Sequence, residues 1–468
     1  MSDSKYLPTI GIETHVQLRT KTKLFAAVSN DARDAEPNTL ISHICVGLPG
    51  ALPVLNEAAI DLSSRAALAL NTEPQRFSWF ERKHYFYPDL PKGYQITQLQ
   101  APILKGGYVE IDVDGATKKV GIERANLEED AGKNTHPTGA DYSLVDFNRA
   151  GTPLLEIVSL PEIHSAAEAK AYTRELWLLM RYAGVTDGDL YHGHVRFDIN
   201  VSLSDKPDKL GTRSEIKNLN SFRSVENAVA YEIKRQAELL DKDKPVVQET
   251  RGWDESKQKS LSQRSKEEAE DYRYMPEPDV PPVELDEAYI KKISAAMPKL
   301  PSGIRRELSG LDIAAKVIED ILDQPDIVPR VLEAIEKTSK ENARRIVFQL
   351  LEEPAALKLK LEDQMEVAAM VENGELSSTS AKSLLAELVV VGGSSKKVAE
   401  KLGLSQISNE SELEAIVNKI IDNNPQVVAD IKAGQEKAIS FLVGQVMAET
   451  RGQANPQLVQ KLIKQQLT

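Results

Sequence analysis

Period-two alternation of apolar and charged residues, repeated in separate segments, most constrains what this chain can fold into. In RFDINVSL (196–203), Phe197, Ile199, Val201 and Leu203 fall on one side of an extended strand. Arg196, Asp198, Asn200 and Ser202 fall on the other. His192 and His194 continue the polar row upstream. After the loop SDKPDKLG, TRSEIKN (212–218) sets Arg213, Glu215 and Lys217 on one face. So short a connection favours an antiparallel hairpin with the two polar rows side by side.

Three more segments extend the pattern. In IGIETHVQL (10–18), Ile10, Ile12, Thr14, Val16 and Leu18 oppose Glu13, His15 and Gln17. ERANLEEDAGK (123–133) opposes Arg124, Asn126 and Glu128 to Ala125 and Leu127. TPLLEIVSL (152–160) carries Glu156 in the middle of an otherwise apolar run, a costly place for a carboxylate unless a cation meets it. One alternating strand is explained by a solvated sheet face. Several strands that pool carboxylates, an imidazole, amides and cations describe a site. Hard oxygen ligands with one imidazole suit Mg²⁺ or Mn²⁺, and the surrounding cations suit phosphate. The chemistry indicated is phosphoryl transfer, in which catalysis is mostly positioning and charge neutralisation.

Missing motifs narrow this further. There is no G-x-x-x-x-G-K-[ST] or G-x-G-x-x-G loop, so a nucleotide is held without a Gly-rich cradle, and neither H-E-x-x-H nor G-x-S-x-G occurs. VVGGSSKK (390–397) reads as a helix stop and start. Cys45 is the single cysteine, which rules out an intrachain disulfide; it reads as a small buried hydrophobe, although His43 stands near it in sequence. A net charge of −13 argues against coating nucleic acid by bulk electrostatics but leaves room for a local basic groove. The opening residues lack a signal-peptide pattern and no apolar run approaches membrane-spanning length, so a cytoplasmic protein without membrane contact is expected.

Only 5% of the chain is aromatic, yet Phe77, Trp79, Phe80, Tyr85, Phe86, Tyr87 and Tyr94 crowd one stretch, interleaved with Arg82, Lys83, His84, Asp89 and Lys92. Phe77, Trp79, Phe80 and Phe86 are expected to pack a core corner and the tyrosines to face a site. A second cluster, 249–279, interleaves Arg251, Arg264, Lys266 and Arg273 with Trp253, Tyr272 and Tyr274. YMPEPDVPPVEL (274–285) reads as an extended connector closing the first region. Beyond it, Ala, Leu, Glu and Lys recur at helical spacing, as in AAKVIEDILDQ and AKSLLAELVVV. Ser408 and Ser411 are candidate N-caps of a further segment, and the chain finishes in two amphipathic helices around a Gly/Asn/Pro turn. The expected fold is α+β: an antiparallel-sheet catalytic body over 1–290, an all-helical domain over 291–405 and a small helical tail over 406–468.

GIETHVQL, GLPGALPVLN, HYFYPDLPKGYQITQ, NLEEDAGK, RAGTPLLEIVS, RFDINVS, GTRSEIKNLNSFR, QETRGWDE, RSKEEAEDYRYMPEPD and FLVGQVMAETRGQANPQLV run in order along nearly the whole chain. Together they resemble the B subunits of aspartyl/glutamyl-tRNA amidotransferases, the GatB family. The resemblance implies a glutamine synthetase-like sheet and an ATP- and Mg²⁺-dependent ligase. Its implied partners are the amidase and the small protein that form the A and C subunits of a heterotrimer. The resemblance implies phosphorylation of the side-chain carboxylate of Glu-tRNA(Gln) or Asp-tRNA(Asn), with ammonia then displacing the phosphate. It implies His15, Glu128 and Glu156 as metal ligands, with Glu13 nearby. Arg196, Asp198, Arg213, Glu215 and Lys217 line the ATP and acyl-phosphate site, joined by Arg251 and Arg273 as ATP-binding residues. Lys83, Tyr85, Tyr87 and Asp89 are placed in the same cavity.

Many members carry a four-cysteine zinc site where this chain has Ala26, Val28, Ser42 and Cys45, so zinc is not expected, and Asn126 stands where a histidine is usual. The tail, with Lys432, Lys437, Arg451, Lys461 and Lys464 against Glu436 and Glu449, is assigned to tRNA. A free-standing amide ligase for a small carboxylate and a non-catalytic RNA-binding scaffold are the competing readings.

Overall fold

In a computed structural model the chain is described over residues 5–206, 209–265, 272–404, 410–432, 437–450 and 454–467. It divides into two compact units, Met1–Pro301 and Ser302–Thr468. The first is built on a nine-stranded sheet: β1 (Leu7–Gln17), β2 (Leu104–Lys105), β3 (Tyr108–Val113), β4 (Ala116–Glu129), β5 (Pro153–Ser159), β6 (Val195–Ser204), β7 (Ser214–Leu219), β8 (Glu249–Asp254) and β9 (Lys259–Ser265). The order is β9-β8-β7-β6-β1-β5-β4-β2, with β3 also paired to β4. Every pairing is antiparallel except β7 with β8.

Register decides what the sheet presents. His15 lies between Glu156 of β5 and Arg196 of β6, and Glu13 lies opposite Asp198. Glu156 in turn faces Asn126 of β4, while Asn200 faces Glu215 of β7. Residues paired across strands share a face, so the polar rows of five strands merge into one charged surface. The hairpin expected between β6 and β7 is present, although its loop residues 207–208 lie outside the described residues.

On the opposite face Ile10, Ile12, Val16, Leu155, Ile157, Ile199, Val201 and Ile216 are buried, each worth about 1.5–3 kcal/mol. Two helices, α1 (Ala166–Tyr182) and α2 (Phe222–Leu240), cover this face. Both start on a serine cap: Ser165 Oγ accepts from Glu168 N at 3.1 Å, and Ser221 Oγ from Ser224 N at 3.0 Å. These helices lie against the apolar face, and the charged face lines a cavity.

A hairpin of Glu81–His84 and Tyr94–Thr97 brings the aromatic-rich stretch to that charged face. The proline-rich segment lies in the first body, as expected, and it is also paired. It is extended, and its Met275–Pro276 pairs with Glu81 and Arg82, and its Val283–Glu284 pairs with Phe77 and Ser78. It is therefore part of the first unit. The next helix, Glu287–Ala295, also stays with that unit, because Tyr289 Oη donates to Asp61 Oδ1 at 2.7 Å. These contacts carry the division to Pro301, past the expected 290. Phe80 is buried as expected, whereas Phe77 is half exposed and Phe86 is 89% exposed.

The second unit is helical, from Pro301–Ser309 to Pro456–Leu467. One helix ends at Val391 before Gly392, and the next begins at Ser395, as VVGGSSKK predicts. Leu413, Val417, Leu442, Val446, Val459 and Ile463 form an apolar cluster among the last four helices. The candidate cap Ser408, the turn at 451–453 with Arg451, and Glu436 lie outside the described residues, as does Lys266 of the second cationic cluster. Among the described residues no helix is long and apolar enough to cross a membrane.

Candidate active site

The charged face of the sheet and the overlying hairpin enclose a cavity of about 560 Å³. Its wall brings together Glu13, His15, Lys83, Tyr85, Glu128, Glu156, Arg196, Asp198 and Lys217. Strand alternation alone accounts for seven of these, since they stand on β1, β4, β5, β6 and β7. Lys83 and Tyr85 come from the hairpin strand and its exit.

At the centre, His15 Nε2 is 3.4 Å from Glu13 Oε1 and 3.6 Å from Glu156 Oε2. Ligand atoms of Glu13, His15 and Glu156 all lie within 4.8 Å of one another, a spacing one cation can bridge. Burial opposes a charged imidazole, yet Glu156 and Glu13 more than offset it and raise the His15 pKa. Glu156 is raised by burial and lowered further by its bond to His15, so its net shift is downward. Burial, then Glu156, pushes Glu13 up. Glu128 accepts from Thr97 Oγ1 at 2.8 Å; burial and then Glu156 push its pKa up to about 8, the condition of a carboxylate that a cation would relieve.

Asn126 donates from Nδ2 to Glu156 Oε1 at 3.1 Å, and its buried Oδ1 has no hydrogen-bond partner among the described residues. The amide thus orients a carboxylate of the cluster, a task consistent with the histidine expected there.

Cations ring this centre. Lys217 Nζ lies 3.1 Å from Asp198 Oδ2 and 3.3 Å from Glu215 Oε1; burial works against its charge, but these carboxylates raise its pKa. Glu215 also accepts from Thr250 Oγ1 at 2.8 Å and stands one step behind the cavity wall. Arg196 donates to Asp130 Oδ2 at 2.9 Å, while its buried Nε–H has no partner among the described residues and is a donor ready for an anion. Lys83 sits 4.8 Å from the centroid of Tyr272 and 5.8 Å from that of Tyr85. Burial lowers its pKa, but Glu128, Tyr274 and Glu156 more than reverse this. Burial pushes the Tyr85 phenol up.

Other expected site residues fall elsewhere. Arg251 pairs in register with Ile216, not Lys217, so it lies on the helix-covered face. There it donates to Glu249, Ser260 Oγ (2.7 Å) and Ser260 O (2.9 Å), with Glu232 3.7 Å away. Arg213 and Arg273 are exposed and do not line the cavity. Asp89 is held beside it through its carbonyl, which accepts from Gly132 N at 2.9 Å. Tyr87 lines a separate shallow depression with Phe86, Pro88 and Pro91. His192 and His194 leave the strand for a turn: His192 bonds to Asp189, and His194 O accepts from Gln17 N. Cys45 is buried but not in purely apolar surroundings, with Ser42 Oγ at 3.4 Å and Lys23 Nζ at 3.7 Å from its Sγ.

Sequence reasoning missed Gln95, Asp130, Tyr191 and Asn220 as cavity residues. Asp130 was legible as the third acid of LEEDAGK; Tyr191 sits in a turn and Asn220 just past β7, where periodicity has ended.

Residues 8–291 match the model of the GatB/GatE catalytic domain, and residues 351–467 match that of the GatB domain. The B subunit of an aspartyl/glutamyl-tRNA(Asn/Gln) amidotransferase from Carboxydothermus hydrogenoformans is 42% identical over 478 residues, covering 99% of both chains. That of Persephonella marina is 43% identical over 475 residues, covering 99% of this chain and all of the relative. That of Brevibacillus brevis is 42% identical over 484 residues, covering 99% of each.

Proposed function

This chain belongs to the GatB/GatE family of tRNA-dependent amidotransferase proteins, and from that premise we propose that its cavity phosphorylates the side-chain carboxylate of mischarged Glu-tRNA(Gln) or Asp-tRNA(Asn) with ATP and then amidates it. One observation carries the reading: Glu13, His15 and Glu156 converge within 4.8 Å on the same sheet face that presents Arg196 and Lys217.

The residues divide the work by charge. The donor set fits Mg²⁺, since two carboxylates and one imidazole converge while Glu128 is left to await positive charge. Glu13, His15 and Glu156 would hold the ion, with Glu128 beside them. When bound, the ion supplies neutralisation of phosphate oxygens. Arg196, through its spare Nε–H, and Lys217 meet the phosphates. Lys83 is a partner for the carboxylate of the incoming aminoacyl group and for the charge that group carries into the cavity.

In the first step a carboxylate oxygen bonds to the terminal phosphorus of ATP and ADP leaves. In the second, ammonia nitrogen bonds to the acyl carbon and the bond to the phosphate oxygen breaks. One proton leaves the nitrogen, and the cavity carboxylates are its acceptors. A carboxylate cannot be amidated at neutral pH without such a leaving group. Ammonia is supplied by the amidase partner, the small third protein completes the complex, and the helical second unit carries the contacts to tRNA.

The test is to express the chain with its amidase and small partners, supply Glu-tRNA(Gln) or Asp-tRNA(Asn) with ATP, Mg²⁺ and glutamine, and follow ADP and amidated tRNA together. Both products should appear only with mischarged tRNA. Binding of tRNA without either product, on both substrates, would favour the scaffold reading.

A further inference from the structure

Most of the cavity wall is charged, yet one side is not. There the turn residues Leu190, Tyr191 and Gly193 line it, as does Asn220. Tyr191 is 91% exposed, the most exposed large hydrophobic side chain among the described residues, although it stands at the mouth of the cavity. The other cavity tyrosine, Tyr85, already packs edge-on against Tyr272 at 6.3 Å and under Lys83. Tyr191 is touched by the His192 ring in a T-shaped contact at 5.1 Å, and its exposure leaves ring surface open to a ligand.

The turn holding it is fixed. Asp189 accepts from the His192 backbone N–H at 3.1 Å and lies 2.7 Å from its Nδ1, while Asp189 O accepts from His194 N at 2.9 Å. Gly193 has φ +70°, which favours glycine, and a Cβ built there would lie 4.0 Å from Arg196 Cδ. The glycine thus meets the φ its turn requires, beside Arg196, a guanidinium with a spare donor. An exposed ring, an amide and a guanidinium lining one cavity match base and phosphate of one nucleotide.

We infer that Tyr191 is the stacking platform for a purine base entering the cavity, with Leu190 beside it and the Asn220 amide at the base edge. The inference rests on the function proposed above and deepens it. Two sources share this chemistry: the adenine of ATP, and the terminal adenosine of the aminoacyl-tRNA. The platform selects for a flat ring and leaves the phosphoryl-transfer residues untouched.

The test uses the complete complex with the amidase and small partners, carrying either native Tyr191, Tyr191→Ala or Tyr191→Phe. Equilibrium binding of ATP and of inorganic tripolyphosphate is measured, followed by KM for ATP and for the aminoacyl-tRNA. Stacking predicts that Tyr191→Ala weakens one adenine-bearing ligand roughly 5- to 150-fold, with kcat little changed and Tyr191→Phe near the native value. Weakened ATP with unchanged tripolyphosphate identifies ATP as the source; a raised KM for the aminoacyl-tRNA alone identifies the terminal adenosine. Equal affinities and KM values in native and Tyr191→Ala complexes overturn the platform. Absence of turnover in the native complex counts against the proposed function instead, and the ATP-binding comparison remains readable.

Discussion

Arg82 grips Glu277 with both arms, Nε to Oε2 at 2.7 Å and Nη2 to Oε1 at 2.9 Å, across 195 residues of chain. The Glu277 side chain is fully buried and that of Arg82 mostly so. The pair clamps the proline-rich segment to the strand that carries Lys83, and so fixes the roof of the cavity. Arg82→Ala leaves a buried carboxylate uncompensated, which should cost about 3–5 kcal/mol by urea denaturation. Replacing both residues by apolar ones of similar volume should recover much of that loss. A cost below about 1 kcal/mol for the single variant would make the pair a surface contact in energetic terms.

Arg251 and Arg196 should separate stability from turnover. Arg251→Met removes two hydrogen bonds to Ser260 and the pair with Glu249 behind the sheet, while Glu232 keeps Arg235. The variant should melt earlier, while KM for ATP measured well below its melting point stays at the native value. Arg196→Ala should lower kcat/KM by about 100-fold or more even well below its own melting point, the scale of losing one preorganised charge donor, while Asp130 keeps Arg149 at 3.4 Å. A large rise in KM for ATP in Arg251→Met would show that the back of the sheet reaches the nucleotide.

Acid should loosen the same edge of the sheet through Glu249. Burial raises its carboxyl, but the Ser262 hydroxyl and the Arg251 guanidinium outweigh that and leave the pKa below the ordinary value. A folded-state pKa depressed in this way adds stability that is complete above the unfolded value near 4.5 and disappears as pH falls through the folded one. The stability gap between the native protein and Glu249→Gln should therefore be constant from pH 7 to about pH 5 and then shrink on further acidification. Urea midpoints measured along that range provide the check; a gap that widens on acidification has the wrong sign for this account.

The cavity was legible where it rests on strand parity. Glu13, His15, Glu128, Glu156, Arg196, Asp198 and Lys217 all share the charged face, because alternation within a strand and pairing between strands carry the same period. Arg251 shows where that reasoning stops. Its face depends on a parallel register with β7, in which it meets Ile216, and nothing local to QETRGWDE encodes that partner. Asp130 and Tyr191 lie just past a strand and in a turn, where periodicity has ended. The Pro-rich segment was legible as extended but not as paired, since its partners Glu81 and Arg82 lie in a distant part of the chain.

Asn126 offers the sharpest test of the central cluster, because it touches Glu156 without itself being among the converging acids. Its Nδ2–H fixes one carboxylate oxygen of Glu156, leaving Oε2 to face His15. Asn126→Ala frees that carboxylate to rotate, and partners of this kind typically contribute about 10- to 100-fold in metal affinity. Mg²⁺ titration of the complex should show a loss in that range, and turnover should return toward the native rate at higher Mg²⁺. Asn126→His restores a ring N–H donor at the same position and should recover affinity, whereas Glu156→Gln removes a charge and should not be rescued by added metal. If Asn126→Ala titrates as the native complex does, the Glu156 carboxylate is oriented by His15 alone and the amide is only filling space between β4 and β5.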